Sequence, residues 1–401
     1  MLGVSRQRVL DALNFKETDS VPMDLGSSHI TGISCFNYNA LAEELGLTER
    51  IPTVFEDTEM LAIVEKDVLD ALDCDVMFID KKATNAFDVS ERFRRHDFNG
   101  RIVANVFKEN EYTLRDDGTV VNGNLFMLED SLVFTEAHGG QKLDLDNIYK
   151  ESFEDLTERL ERDLLSERDA DKVASECERA RSENDRAIFI SNLILGLGFI
   201  GGMANGSMLC MLEPEYIREH NKILTHYAVK NIELLLPLIK DNVDVVLSGG
   251  KDMGTQNATI ISPDALRELY LPYFNQVNDV IHSIDKKQKT FLHSCGAIFP
   301  ILDDIIDAGF DIINPVQWMA GKSSYKQWKD KARNRITLWG GGIDCQHVLP
   351  FATPREVAEH VSEIVGYLKK DGGYVFNNIH NITGEVSAKS VVAMYEAANK
   401  A

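Results

Sequence analysis

The chain has 401 residues, enough for one large domain or two ordinary ones, and 44% of them are apolar, enough for a sizeable core. A net charge of −22 and a pI near 4.9 exclude nucleic acid and anionic membrane surfaces as natural partners, because both repel such a surface. Residues 5–13 are polar and helix-like, with no apolar signal core, and no apolar run reaches the roughly 18–20 residues that span a bilayer, so a soluble, cytoplasmic protein is expected.

Short apolar strands alternate with amphipathic helices along the chain. The expected strands are residues 21–25 (VPMDL), 75–80 (DVMFID), 187–194 (AIFISNLI), 243–248 (VDVVLS), 290–293 (TFLH), 311–315 (DIINP), 336–339 (ITLW) and 373–377 (GYVFN). Helix-period segments lie between most of them, for example 263–283, 300–308 and 354–370, each opening on proline. Gly309, Gly372 and Gly373 stand where a helix ends and a strand begins. Eight strands alternating with helices predict an α/β fold, a single (β/α)8 TIM barrel over residues 1–401, with an open doubly wound sheet as the rival. Residues 81–145 break the rhythm with alternating strands and an Asp-Gly turn at 117–118, which predicts a β-rich insertion between the second and third strands. Residues 152–186 then read as charged, solvated helix.

The six cysteines include no CxxC pair, and nothing suggests a disulfide framework. His293 and Cys295 stand out. Side chains two apart on an extended chain share a face, so both project from the end of the fifth strand, and Gly296 then turns the chain away. Imidazole and thiolate suit zinc, and a third ligand completes a catalytic site with one open position. His380, after the eighth strand, is the expected third ligand, with Cys345 and His347 after the seventh as rivals. A barrel keeps its chemistry at the carboxyl ends of its strands. Asp252, Asp344 and Gln317 lie there and are the candidates to orient a substrate or a proton; Asp24 and His29 follow the first strand. The run GLGFIG at 196–201 matches GxGxxG, but no second strand follows at the spacing a dinucleotide fold needs. It reads instead as a glycine-rich pocket wall, and Gly198, with Asn378 after the eighth strand, is assigned to the cofactor-facing side.

The opening run RVLDALNFKETDSVPMD (8–24), the pair His293/Cys295 and the closing run GYVFNNIHNI (373–382) together resemble the uroporphyrinogen decarboxylase superfamily over nearly the whole chain, and within it the cobalamin-dependent methyltransferase branch. The resemblance implies a zinc site built from His-x-Cys and a later cysteine, whose place falls on His380 here. It also implies a corrinoid carried by a partner protein, and a reaction that demethylates a small methoxylated compound, aromatic ones included, or a methylated amine. A homodimer is the default assembly. Two other readings stand beside it. One is a metal-free tetrapyrrole decarboxylase, although residues 22–33 lack the arginines by which such enzymes grip carboxylates. The other is a non-catalytic barrel that binds a small ligand.

Overall fold

The computed structural model describes residues 3–79, 92–136, 144, 148–191 and 197–401. Asp80, residues 192–194 of the third expected strand, Gly196, and parts of the 81–145 segment lie outside the described residues.

Seven parallel strands form one sheet in sequential order: β1 (Val76–Ile79), β2 (Ala187–Ile190), β3 (Val245–Gly250), β4 (Lys289–His293), β5 (Ile312–Asn314), β6 (Thr337–Trp339) and β7 (Tyr374–Val375). Their residues are mostly apolar, rich in valine, isoleucine and phenylalanine, and nearly all buried, as a parallel sheet clad in helices requires. One face, carrying Ile188, Ile190 and Val246, packs on helix residues such as Ile232, Leu235, Val277 and Ile281. The other gathers Val76, Phe189, Leu247, Phe291, Ile312, Trp339 and Val375 into one cluster. The cluster shows that the sheet is curled. The rings of Phe189 on β2 and Trp339 on β6 lie 6.2 Å apart, whereas strands four places apart in a flat sheet stand about 19 Å apart.

Residues 21–25 lie between the two edges of this sheet. Phe376 N–H donates to Pro22 O (2.8 Å), Asp24 N–H to Phe376 O (3.0 Å) and Asp75 N–H to Met23 O (2.8 Å). The expected first strand is therefore reduced to a single bridge, Met23 with Phe376. The donors are missing or taken: Pro22 has no N–H to give, and the Met23 N–H goes to the Asp75 carboxylate at 3.1 Å instead of a ladder partner.

Between β1 and β2 the described residues form antiparallel structure. Phe93–Asp97 pairs with Val103–Phe107, and Tyr112–Leu114, Val120–Asn122, Leu125–Met127 and Thr135–Glu136 form a four-stranded meander. Gly118, at φ +81°, makes the turn at 117–118. Tyr112 and Asn110 both donate to the Asp57 carboxylate, and Phe134 N–H donates to Thr58 O (2.7 Å), so this region sits on the segment that carries Glu59. Residues 152–186 form two helices, Phe153–Arg162 and Glu167–Glu183. Among the described residues no helix is long and apolar enough to cross a membrane.

Candidate metal centre at the strand ends

The inner face of the curled sheet changes character along its height. Above the rings of Phe189, Phe291 and Trp339 come polar side chains: Asp24, His293, Asn314 and Asn377. Asp24 is fully buried and accepts from Trp339 Nε1–H (2.8 Å), Ser27 O–H (2.7 Å) and Ser27 N–H (3.1 Å). Burial outweighs these bonds and raises its carboxyl to about 6.

His293 closes β4, and its register partner on β5 is Asn314. Asn314 donates through Nδ2 to Trp339 O (3.0 Å), which orients its amide and leaves Oδ1 facing His293 Nδ1 at 2.7 Å. Nδ1 therefore carries the proton, and the Nε2 lone pair points into the mouth. Burial depresses this imidazole's pKa, which keeps it neutral and able to ligate.

A bulge between Leu247 and Gly249 on β3 brings Gly250 opposite His293, so the chain beyond each strand runs on side by side. Cys295 N–H donates to Asp252 Oδ1 (2.9 Å) and Gly254 N–H to Cys295 O (3.2 Å). Glycine is required here. A Cβ on Gly296, at φ +93°, would lie 2.3 Å from the carbonyl carbon of Gly254. Gly296 N–H donates to Gln317 Oε1 (2.7 Å), which pins the turn from the far side.

The result is a three-donor cluster. His293 Nε2 stands 3.6 Å from Cys295 Sγ and 3.7 Å from Asp252 Oδ1. Among the described residues this is the one group of three or more potential ligands whose donor atoms all lie within 4.8 Å of one another. Zinc bonds of about 2.0–2.3 Å at tetrahedral angles put donor atoms about 3.3–3.6 Å apart, so the spacing fits a small divalent ion. The charges fit as well. Burial, and then Asp252, push the Cys295 thiol well above its usual value. Only a cation between them lets both groups be anionic together.

The cluster opens on a cavity of about 900 Å³. Cys295, Asp252, Gln317, Cys345 and His380 all line it. Asp252, expected to orient a substrate, thus stands at the position in the cluster anticipated for His380. His380 itself is outside the three-donor group, with Nδ1 3.8 Å from Glu59 Oε2, and its backbone N–H is directed at Cys345. Burial raises the Cys345 thiol to about 12. Asp344 does not line the cavity; it accepts from the N–H groups of Gln346 (2.8 Å) and His347 (2.9 Å) and so shapes the loop. His347 is 74% exposed and pairs with Asp344. Gly198 does not line the cavity, and Asn378 is fully buried with both side-chain polar atoms unpaired. His29 sits close enough to His293 to feel its charge, and burial lowers its pKa to about 4. Asn314 and Glu59 were not among the site residues expected from sequence. Asn314 could have been found by pairing the fifth and sixth expected strands in register; nothing in the sequence marks Glu59.

Comparison with known proteins agrees with this layout. The family model for uroporphyrinogen decarboxylase (URO-D) matches residues 200–401, which is more than half of the chain and includes every member of the donor cluster. The chain belongs to the uroporphyrinogen decarboxylase family. Among solved structures, a methyltransferase from Methanosarcina mazei has a similar fold along the whole length: TM-score 0.58 at 14% identity, covering 99% of this chain and 98% of the other. A psychrophilic family 10 endo-β-1,4-xylanase matches at TM-score 0.33 and 12% identity, covering 53% of this chain and 71% of its own. Xylanase XynB from Paenibacillus barcinonensis matches at 0.35 and 10%, covering 60% and 85%. Neither xylanase likeness is close enough to carry an argument. No curated protein matches the sequence.

Proposed function

We propose that the protein is a zinc-dependent methyltransferase that takes a methyl group from a small methylated ether or amine and passes it to the cobalt of a corrinoid on a separate protein. The observation that carries the reading is the convergence of Asp252, His293 and Cys295 on one point at the edge of a large cavity. The full-length likeness of fold to a methyltransferase supports it. On this reading residues 21–25 complete a closed eight-membered barrel, and the antiparallel strands of the 81–145 segment are an insertion beside its mouth.

Asp252, His293 and Cys295 would hold the ion, with His380 and Cys345 as further donors on the same cavity wall. A zinc ion bound there supplies a Lewis acid for the heteroatom that loses or gains the methyl group. The chain's own residues do the positioning. Asn314 fixes the His293 tautomer, Asp252 clamps the Cys295 backbone, and Gln317 holds the turn at Gly296. Asn381 donates to Glu59 (3.0 Å) and to His29 O (3.0 Å), tying the loop of His380 to the opposite side of the mouth.

A tetrapyrrole decarboxylase is the reading the family name alone would favour. Such a substrate bears several carboxylates, and among the described residues no lysine or arginine lines the cavity. The deciding experiment replaces Cys295 by Ser. Zinc content, by mass spectrometry, and methylation of cob(I)alamin from a panel of methyl ethers and methylamines should both collapse, by more than the roughly 10–100-fold that loss of an outer partner costs. Unchanged metal and activity would falsify the proposal.

A further inference from the structure

The lining of the mouth cavity says what charge its occupant bears. Besides Asp252 it contains the carboxylate of Glu385, and among the described residues neither a lysine nor an arginine. Glu385 has no basic partner among the described residues. Glu59 adds to this field, since its charge is felt at both His293 and Cys295. The cation nearest in sequence, Lys251, turns its Nζ onto the Phe199 ring at 4.7 Å and is not part of the lining. A divalent ion would not reverse the balance. Its two positive charges are matched by the Cys295 thiolate and the Asp252 carboxylate, which leaves Glu385 without a counter-charge, while Glu59 has His380 Nδ1 at 3.8 Å and the Asn381 amide at 3.0 Å. The remaining walls mix amides (Gln256, Gln346) with apolar groups, including Met203 and a Phe351 that is 81% exposed at the rim. Carboxylates next to methyl and aromatic surface suit an alkylammonium group, whose charge is spread over apolar methyls. The net charge of −22 acts in the same direction at longer range.

We infer that the methyl donor is a cation, a quaternary or protonated methylamine, taken in preference to any anionic methoxyarene. The inference rests on the reading of this cavity as the methyl donor's site, and it narrows that reading's substrate class. A quaternary donor also removes a chemical demand. The C–N bond breaks with its electron pair left on nitrogen, the acceptor's electron pair forms the new bond to carbon, and the neutral amine leaves without needing a proton.

The test is calorimetric, on the full chain at low salt, with choline, its neutral carbon isostere 3,3-dimethylbutan-1-ol, and 4-methoxybenzoate. Choline and the alcohol differ in having nitrogen or carbon at the branch point. Choline should bind at least about tenfold tighter than the alcohol, with the benzoate weakest, and added salt should narrow the gap. The variant Glu385→Gln should narrow it several-fold while leaving the thermal transition in place, which separates the cavity from the acidic surface at large. Equal or tighter binding of the alcohol or the benzoate overturns the inference, and so does an unchanged preference in E385Q. Cation-selective binding without methyl transfer to reduced corrinoid leaves the selectivity standing and removes the methyltransferase reading instead.

Discussion

The two ends of the curled sheet differ in where their cations lie. At the amino ends of the strands a polar cleft of about 420 Å³ is lined by the cations Arg8, Lys66 and Arg186 and by the carboxylates of Asp70, Asp73, Asp75, Glu183 and Asp185. Every cation there is paired: Arg8 with Asp19 (2.9 Å) and Asp75 (2.6 Å), Lys66 with Asp70 (2.6 Å), and Arg186 with Asp70 (2.5 Å). At the carboxyl ends, carboxylates and thiols converge with no lysine or arginine among the described lining residues. The first end keeps its cations among its carboxylates, each in an ion pair. The second has left a charge for something else to balance. On the proposed reading, that contrast separates the end that would do chemistry from the end that gives stability.

The largest effect that can test the contrast lies at the paired end. Asp244, immediately before β3, is 3% exposed and bridges Arg6 (2.9 Å) and Arg181 (2.8 Å) while accepting from Ile188 N–H (2.9 Å). Asp244→Ala strands two guanidinium groups and should cost about 3–5 kcal/mol in chemical denaturation. Zinc affinity of the fraction that stays folded should be unchanged. A drop in metal affinity matching the loss of stability would mean that the two ends are not separable.

Asp24 lies between the ends, and its effect should be smaller and pH-dependent. Burial holds its folded carboxyl at about 6, against about 3.9 in an unfolded chain. Between those values the folded chain keeps a proton that the unfolded chain has released, so stability falls as pH rises through the window. The contribution is complete below about pH 4 and gone above about pH 6, and amounts to about 3 kcal/mol. Asn at this position can accept from Trp339 Nε1–H and Ser27 O–H through its one oxygen, sets its Nδ2 against the Ser27 N–H, and has no proton to lose. The difference in stability between Asp24→Asn and the parent should therefore grow in favour of the variant from pH 4 to pH 6. A constant difference across that range would refute the assignment.

Much of this was legible in the residues. Seven of the eight expected strands form, because apolar runs bounded by Pro-opened helices and Gly caps leave few other solutions. The first did not form as a strand because a side chain from elsewhere, Asp75, takes the N–H its ladder needed. His293 and Cys295 were legible because the two-residue repeat of an extended chain makes them share a face. The third donor of the cluster was not. Choosing between Asp252 and His380 depends on a one-residue bulge in β3 and on the path of the last loop, and neither leaves a mark in composition or periodicity. Asp344 follows the seventh expected strand, and that its carboxylate accepts from the N–H groups of Gln346 and His347 is a local loop geometry that composition and periodicity do not mark.

The smallest effect tests the most local link, Asn314. If its amide is oriented by Trp339 O and in turn fixes His293, its role is to keep a lone pair on Nε2 pointed at the other donors. Asn314→Ala should lower zinc affinity about 10–100-fold, as loss of an outer partner does elsewhere. The same change leaves a buried carbonyl unpaired and so also costs stability, and metal affinity alone cannot separate positioning from general loosening. The imidazole tautomer can. In the metal-free parent, nitrogen NMR of His293 should show Nδ1 protonated and Nε2 bare, and in Asn314→Ala the two tautomers should mix. A parent already protonated at Nε2 would mean that the ring faces the cavity as a donor, and the case for a ligand at that position would fall with it.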